Sequence, residues 1–143
     1  MDEINKSYME QALIMAKKAY KREEVPVGAI IVRNGKVVSR AYNSRKKKQN
    51  ALHHAEILAI NKACKKLKSF RLDDCEMYVT LLPCMMCAGA IAESRIKKVF
   101  YLCDRTNVRF KSDEYICALK IDDEELEKKY LNLLQLFFEN KRN

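Results

Sequence analysis

The sequence contains little that would divide the chain or place it in a membrane. Glycine accounts for only three of the 143 residues, and there are no Gly/Ser-rich linkers, internal repeats or low-complexity tracts. No apolar run reaches the roughly 20 residues of a membrane-spanning helix. Residues 1–24 carry charges where a signal peptide would be continuously apolar. We therefore expect one domain over residues 1–143, located in the cytoplasm.

Acidic residues are also in short supply relative to basic ones. The chain has 28 Lys and Arg residues against 19 Asp and Glu residues, which gives a formal net charge of +9. A basic surface favours polyanionic partners such as nucleic acid, although charge alone fits a basic cytosolic protein without such a partner equally well. What the chain does contain is 48% hydrophobic residues, which is enough to build one core.

Hydrophobic periodicity predicts alternating helices and strands. Apolar residues recur at helical spacing in three segments, which are 7–22, 54–67 and 84–94. Runs of β-branched and apolar residues predict four strands, at 25–32, 36–42, 77–82 and 99–103. Asn34-Gly35 is a strong hairpin signal between the first two strands. This order predicts an α/β fold whose sheet is mainly parallel and covered by helices on both faces.

The C-terminal segment predicts a further helix. Asp122 and Glu125 suit an N-terminal capping arrangement, and an apolar stripe predicts that this helix docks on the core. The stripe consists of Leu126, Tyr130, Leu133, Leu134, Phe137 and Phe138.

We expect a short helix at residues 112–119 as well. Four side chains near the motifs and in the stripe are expected to pack rather than to stack on bases. They are Met85, Met86, Phe137 and Phe138.

The chemistry is concentrated in two short segments, His54-Ala55-Glu56 and Pro83-Cys84-Met85-Met86-Cys87. One imidazole and two thiolates are the protein ligands of a catalytic zinc site whose fourth position stays open. Cys84 and Cys87 lie three residues apart after Pro83, so they can share one face at the start of a helix. Glu56 is then free to take a proton from the zinc-activated water and pass it to a leaving amine. Two segments of this kind are the signature of zinc-dependent nucleobase deaminases.

Two other interpretations of these cysteines stay open. A closed structural zinc site would take its fourth ligand from a further His or Cys side chain. The candidates are His53, Cys64, Cys75, Cys103 and Cys117. A thioredoxin-like redox pair would use Cys84 and Cys87 but would leave His54 and Glu56 without a role. Because no partner stands at ligand spacing, the four other cysteines are expected to be small buried side chains.

Beyond the two motifs, the chain resembles the cytidine deaminase superfamily, and within it the bacterial tRNA adenosine deaminases, over nearly its whole length. The further matches are Pro26-Val27-Gly28-Ala29, Asn43, Tyr78-Val79-Thr80-Leu81, Ala88-Gly89-Ala90 and Ser94-Arg95-Ile96. The resemblance implies a three-layer α/β/α fold with a five-stranded mixed sheet.

The same resemblance implies a site and a substrate. His54, Cys84 and Cys87 would hold zinc (Zn²⁺), Glu56 would shuttle protons, and Asn43 would bind the target nucleoside. The implied reaction is the hydrolytic deamination of the wobble adenosine of a tRNA anticodon stem-loop to inosine, by a homodimeric enzyme that uses a zinc-activated water. The basic segment 45–48 and the Lys141-Arg142 pair would contact the RNA.

Two further classes of function stay open at this point. The chain departs from the pattern of this family at His53, at Leu82 and in the segment after Asp104, all of which we expect at the pocket rim or on the RNA-facing surface. A small-molecule deaminase acting on guanine, cytosine or adenosine would use the same zinc chemistry behind a different rim. A non-catalytic RNA-binding module with structural zinc would have no use for Glu56.

Overall fold

The computed structural model describes residues 3–106 and 115–142 of the chain. In this part the chain forms four helices and five strands. In chain order they are α1 Glu3–Lys21, β1 Gly28–Arg33, β2 Lys36–Tyr42, α2 Ala55–Leu67, β3 Cys75–Leu81, α3 Met85–Ser94, β4 Lys98–Cys103, β5 Ala118–Lys120 and α4 Glu124–Arg142. None of the described helices is both long enough and apolar enough to cross a membrane.

The five strands form one mixed sheet in the order β2-β1-β3-β4-β5. Strand β1 runs antiparallel to both β2 and β3, whereas β3, β4 and β5 are parallel to one another. Four of the five strands therefore run in the same direction, as predicted, and only β1 is reversed, so the mixed sheet implied by the resemblance is confirmed. The physical reason is the hairpin. Strands β2 and β3 do run in the same direction across the α2 crossover, but β1 pairs with β2 through a tight turn and so lies between them in the opposite direction.

The hairpin turn forms where the sequence predicts it. Asn34 and Gly35 both have positive φ angles, 49° and 75°. A two-residue turn with positive φ at both positions matches the twist of paired strands, and Asn-Gly tolerates it because both residues enter the left-handed region at low cost.

Helices cover both faces of the sheet, as the resemblance implies. On one face, α2 and α3 contribute Ala59, Ile60 and Ile91 to a core cluster that includes Ile31 and Met77 of the strands. On the other face, residues of α1 and α4 pack against the opposite side of the same strands. They include Met9, Ala12, Leu126 and Tyr130. The three-layer α/β/α architecture is thereby confirmed.

Gly28 allows α1 to lie directly on the start of β1. A Cβ atom at this position would stand 2.0 Å from the carbonyl oxygen of Ala12 and 2.5 Å from the amide nitrogen of Ala16. Because both are backbone atoms, neither could move aside without moving the helix. The backbone amide of Gly28 also donates to the Thr80 hydroxyl at 3.2 Å, which links β1 to β3 at the same level.

Tyr130 connects α4 to the segment that leads into β1. Its side chain is fully buried, and its hydroxyl donates a hydrogen bond of 2.7 Å to the carbonyl oxygen of Pro26. Burial raises the pKa of Tyr130, so the hydroxyl stays protonated as a donor. The next residue, Val27, accepts through its own carbonyl from the backbone amide of Asn43 at 3.2 Å.

Two local expectations differ from the structure. Residues 118–120 form the edge strand β5 instead of the end of a helix, while 112–114 lie outside the described residues. The cap of α4 comes from Asp123, whose Oδ1 accepts from the amide of Leu126 at 3.0 Å, and not from Asp122. The shift of one residue follows from where the chain leaves β5, a tertiary constraint that the capping pattern does not contain.

Candidate metal centre and active site

The predicted metal ligands lie at the starts of two helices. His54 is the residue before α2 and Cys84 is the residue before α3, both with extended backbone, and Cys87 lies in the first turn of α3. The Sγ atoms of Cys84 and Cys87 each lie 3.6 Å from Nδ1 of His54. All three candidate ligand atoms fall within 4.8 Å of one another. Residues separated by about thirty positions in the sequence thus meet at one point.

The spacing and type of these atoms fit a tetrahedral zinc ion. Zinc binds imidazole nitrogen at about 2.0–2.1 Å and thiolate sulfur at about 2.3 Å, and a tetrahedral angle between such bonds places the two ligand atoms about 3.6 Å apart. The observed sulfur–nitrogen distances have this value. Mixed sulfur and nitrogen donors are also the set that selects zinc over hard cations such as Mg²⁺.

The two thiols differ in their acidity. A hydrogen bond with Cys87, assisted by His54, lowers the pKa of Cys84 well below its usual value. The same hydrogen bond, together with burial, raises the pKa of Cys87. Both sulfurs must be thiolates to hold a metal, so metal binding is expected to displace the proton that the pair shares.

Glu56 is a buried carboxylate without a partner. Only 1% of its surface is exposed, and neither carboxylate oxygen has a hydrogen-bond partner in the described part of the chain. Burial is the main reason that the pKa of Glu56 is raised. A buried and unsatisfied carboxylate is costly and rare, and it therefore points to a use in chemistry. Glu56 lines the same cavity as His54.

Asn43 holds the start of α2. Its side chain is buried, and its Oδ1 accepts a hydrogen bond of 2.7 Å from the backbone amide of Ala55. His54, which occupies the cap position, makes no side-chain capping bond of its own. Asn43 thus supplies the capping oxygen from a different segment and leaves the His54 imidazole free to face the cysteines. Sequence reasoning predicted Asn43 at the site but missed this role, because the bond spans 12 positions.

The cavity at this site has a volume of about 420 Å³ and lies at the edge of the sheet. Its inner part includes Asn43, His54 and Glu56. Its wall is completed by apolar and cationic side chains from several elements. They include Val27, Arg45, Arg105, Leu131, Leu134 and Phe138. A cavity of this size is within the range that encloses a small organic ligand such as a nucleoside.

Arg105 is a cavity residue that sequence reasoning missed. Its Nε donates a hydrogen bond of 2.7 Å to the carbonyl oxygen of Leu82, next to the Pro83-Cys84 turn. Its positive charge acts on Glu56 and lowers the pKa of that carboxylate, against the larger effect of burial. No sequence motif includes Arg105. Its position in the cavity wall depends on the path of the chain after β4, which the sequence alone does not predict.

Arg45 supplies a second cation at the cavity wall. Its Nε donates to the carbonyl oxygen of Ala51 at 3.2 Å. The following lysines, Lys46, Lys47 and Lys48, are exposed to solvent. The side chains of Lys141 and Arg142, for which the resemblance implies RNA contact, lie outside the described part of the structure.

We call His54, Cys84 and Cys87 the metal group. Among residues 3–106 and 115–142, no fourth protein ligand joins this group. Neither His53 nor any of the other cysteines belongs to it. Cys75 and Cys103 are buried as expected, but Cys64 is half-buried and Cys117 is exposed, so the expectation of burial is wrong for these two. The described donors therefore favour an open site over a closed one.

The expected packing of four motif and stripe residues is confirmed only for some of them. Phe137 is buried, whereas 62% of Met85 and 49% of Phe138 is exposed. Phe138 lines the active cavity.

The comparisons with known proteins agree with this geometry. Residues 3–142 match the family model of the MafB19-like deaminases. A tRNA-specific adenosine deaminase of Rickettsia bellii is 54% identical over 95 residues, which span 65% of this chain and 66% of the relative. The aligned segment thus covers slightly less than two thirds of that protein. A tRNA-specific adenosine deaminase of Streptococcus pyogenes is 33% identical over 145 residues, which span 94% of this chain and 90% of the relative.

A solved structure shares the fold at similar identity. It comes from work on A-to-I editing by tRNA deaminases at the wobble position of transfer RNA. It superposes with a TM-score of 0.69 at 41% identity, covering 70% of this chain and 77% of that chain. The match of the family model over residues 3–142, together with the pairing of a His/Cys/Cys group and a buried glutamate on this sheet, shows that the chain belongs to the MafB19-like deaminase family and is a relative of the bacterial tRNA-specific adenosine deaminases.

Proposed function

We propose that the protein is a zinc-dependent deaminase that converts the wobble adenosine of a tRNA anticodon to inosine. The observation that carries this proposal is the convergence of His54, Cys84 and Cys87 at one point. His54 lines the same cavity as the buried, unpartnered carboxylate of Glu56. The two relatives described above, from Rickettsia bellii and Streptococcus pyogenes, are tRNA-specific adenosine deaminases. The reaction consumes one water molecule and releases ammonia from the adenine ring.

In this proposal His54, Cys84 and Cys87 hold the zinc ion. When bound there, zinc supplies the Lewis acidity that makes water a competent nucleophile near neutral pH. Glu56 holds a proton on one carboxylate oxygen and passes it to the nitrogen that leaves as ammonia. The position of Glu56 suits this task, because it lines the cavity and no described group occupies either of its oxygens.

Substrate binding is assigned to the other cavity residues. Asn43 fixes the start of α2 through Oδ1, and the rest of its carboxamide faces the cavity, where we assign it to the target nucleoside. Arg45 and Arg105 are tied to backbone carbonyls through Nε, which leaves their terminal nitrogens for substrate phosphates. The net charge of +9 supports a polyanionic substrate.

The proposal includes an anticodon stem-loop as the RNA partner, a single deaminase domain over residues 1–143, a homodimer and a cytoplasmic location. Support for the homodimer comes from two exposed apolar side chains that lie close in sequence to the proposed metal ligands, Leu52 before α2 and Met85 at the start of α3. Leu52 and Met85 are exposed by 57% and 62%. Light scattering of the purified protein tests the dimer, and a monomer at micromolar concentration would contradict it.

A deamination panel tests the proposed function. The protein is incubated with an anticodon stem-loop RNA, free adenosine, cytosine or guanine, and products are separated by chromatography. Inosine is expected in the RNA and not from the free compounds. Turnover of a free base or nucleoside, with unmodified RNA, would assign the protein to the small-molecule deaminases instead.

Glu56→Gln is the matched control for the panel. This variant keeps the size and shape of the side chain but cannot take up and release a proton, so the rate is expected to fall by about 10²-fold to 10⁴-fold. Its zinc content should equal that of the wild type. RNA binding that persists while the wild type itself has no activity on any substrate would favour a non-catalytic RNA-binding module.

A further inference from the structure

Glu24 is a buried acidic residue that the proposed chemistry does not use. It lies between α1 and β1, and only 2% of its surface is exposed. Both of its carboxylate oxygens accept from the backbone amide of Lys46, at 3.2 and 3.1 Å, and Oε2 also accepts from the amide of Lys47 at 3.0 Å. A buried carboxylate is retained only where such bonds compensate its lost hydration.

These bonds fix a basic loop, which we define as residues 44–50. Within the loop, the amide of Lys48 donates to the carbonyl of Ser44, and the amide of Asn50 donates to the carbonyl of Arg45. The amides of Lys46 and Lys47 point toward Glu24 instead. The carboxylate therefore satisfies the first free amides of a helical turn, as an acidic cap does at the start of a helix.

The basic loop forms part of the wall of the active cavity. Arg45 lines the 420 Å³ cavity and also a neighbouring depression of about 680 Å³. The two depressions share Val25, Arg45 and Phe138, and the second also includes Lys46. Glu24 itself lines the second depression, and the next residue, Val25, lines both. The bonds of Glu24 to the amides of Lys46 and Lys47 thus join this wall to the basic loop.

The charge of Glu24 is of the wrong sign for a direct role in binding RNA. A carboxylate beneath four cationic residues weakens their attraction for phosphate. Its benefit must then be geometric, through the two amides that it holds. If the charge of Glu24 mattered most, its removal would strengthen RNA binding. If the geometry of the loop matters most, its removal should weaken RNA binding, so an experiment can separate the two effects.

We propose that Glu24 is a positioning residue for substrate RNA, which holds the basic loop so that Arg45 faces the cavity and the loop lysines face the phosphates beside it. This inference rests on the proposed function, and it adds to that function a residue that contacts neither the metal ligands nor the nucleoside.

The test compares Glu24→Gln with Glu23→Gln. Both variants remove one negative charge from adjacent positions. Glu23, however, is exposed, whereas Glu24 is buried and bonded to the amides of Lys46 and Lys47. Binding of a fluorescent anticodon stem-loop is measured by anisotropy over a range of salt concentrations, and kcat and KM are measured for inosine formation. Glu24→Gln is expected to raise Kd and KM about 5-fold to 10-fold and to flatten the salt dependence, with kcat and zinc content unchanged. Glu23→Gln is expected to leave Kd unchanged or to lower it slightly.

A misfolded Glu24→Gln variant would also bind RNA weakly, so the substitution is tested again in a protein that lacks the cationic side chains of the basic loop. In a variant whose Arg45, Lys46, Lys47 and Lys48 are all replaced by Ala, adding Glu24→Gln should have no further effect on Kd. An equal loss in that background, or tighter RNA binding by Glu24→Gln in the wild-type loop, would overturn the inference. Absence of inosine formation by the wild type would instead contradict the proposed function, so the two failures can be told apart.

Discussion

At the scale of single residues, the site depends on side chains that serve folding and chemistry together. Asn43 supplies the oxygen that the amide of Ala55 needs, and so fixes the segment that carries His54 and Glu56. Glu56 is the opposite case, because it is buried at the same helix start with no bond to either oxygen. At this helix start, the side chain that sets geometry is satisfied, whereas the carboxylate that lines the cavity is not.

Asn43→Ala is expected to lower both stability and activity. The amide of Ala55 would be left buried without an acceptor, which costs about 1–3 kcal/mol, and His54 would lose its fixed orientation. Asn43→Asp retains the acceptor and adds a negative charge that a helix N-terminus tolerates. Chemical denaturation and zinc content are measured for both variants. Equal stability of the Ala and Asp variants would contradict the capping role of Asn43.

At the scale of elements, two helix starts carry the whole metal group. The free amides and the dipole at a helix N-terminus favour anionic groups, and this suits the thiolates of Cys84 and Cys87. Neither α2 nor α3 has a side-chain cap from its own cap residue, since those positions are occupied by His54 and Cys84. On the other face of the sheet, α1 fixes the position of β1, and with it the segment of Val25 and Val27 that lines the cavity.

Gly28→Ala is expected to destabilise the protein by displacing α1. The added methyl group would meet backbone atoms of Ala12 and Ala16, and overpacking of this kind costs about 1–3 kcal/mol. Gly89→Ala is the matched control, because a Cβ there meets nothing within 4 Å. Because Gly89 lies inside helix α3, Gly89→Ala should instead raise the free energy of unfolding by up to about 1 kcal/mol. Urea denaturation measures both variants, and a Gly28→Ala variant as stable as the wild type would disprove the close contact.

At the scale of the whole molecule, the core and the metal group are separate. The two hydrophobic clusters that flank the sheet contain none of the three candidate ligand side chains. The sheet should therefore stay folded without a metal, unlike a small zinc domain whose fold depends on its ion.

Removal of the metal by a strong chelator tests this separation. Inosine formation is expected to fall to background and to return on addition of one equivalent of zinc per chain. Far-UV circular dichroism should change little, although the melting temperature should fall, because a ligand that binds only the folded state stabilises it. Full activity after verified removal of the metal would refute the zinc mechanism, and complete unfolding would indicate a structural metal.

The sequence was informative where the signal is local. The grouping of the three candidate metal ligands could be predicted because residue type and spacings of two or three positions carry the signal. Their role and that of Glu56 stay predictions. Arg105 and Glu24 could not be predicted, because each acts on backbone groups about twenty positions away, Leu82 for Arg105 and Lys46 for Glu24. The place of β1 in the sheet was missed for a similar reason. The hairpin is local, but the position of β1 between β2 and β3 is a property of the assembled sheet.

The hydrogen bond of Tyr130 has a consequence for the order in which the protein matures during synthesis. It begins a bonded path that runs from Tyr130 to Pro26, continues from Val27 to Asn43, and ends at Ala55 beside His54. All residues of the metal group are translated by position 87, yet this path closes only when residue 130 has left the ribosome and α4 has docked. We therefore expect the complete metal site to form only after α4 has been synthesised and has packed against the sheet.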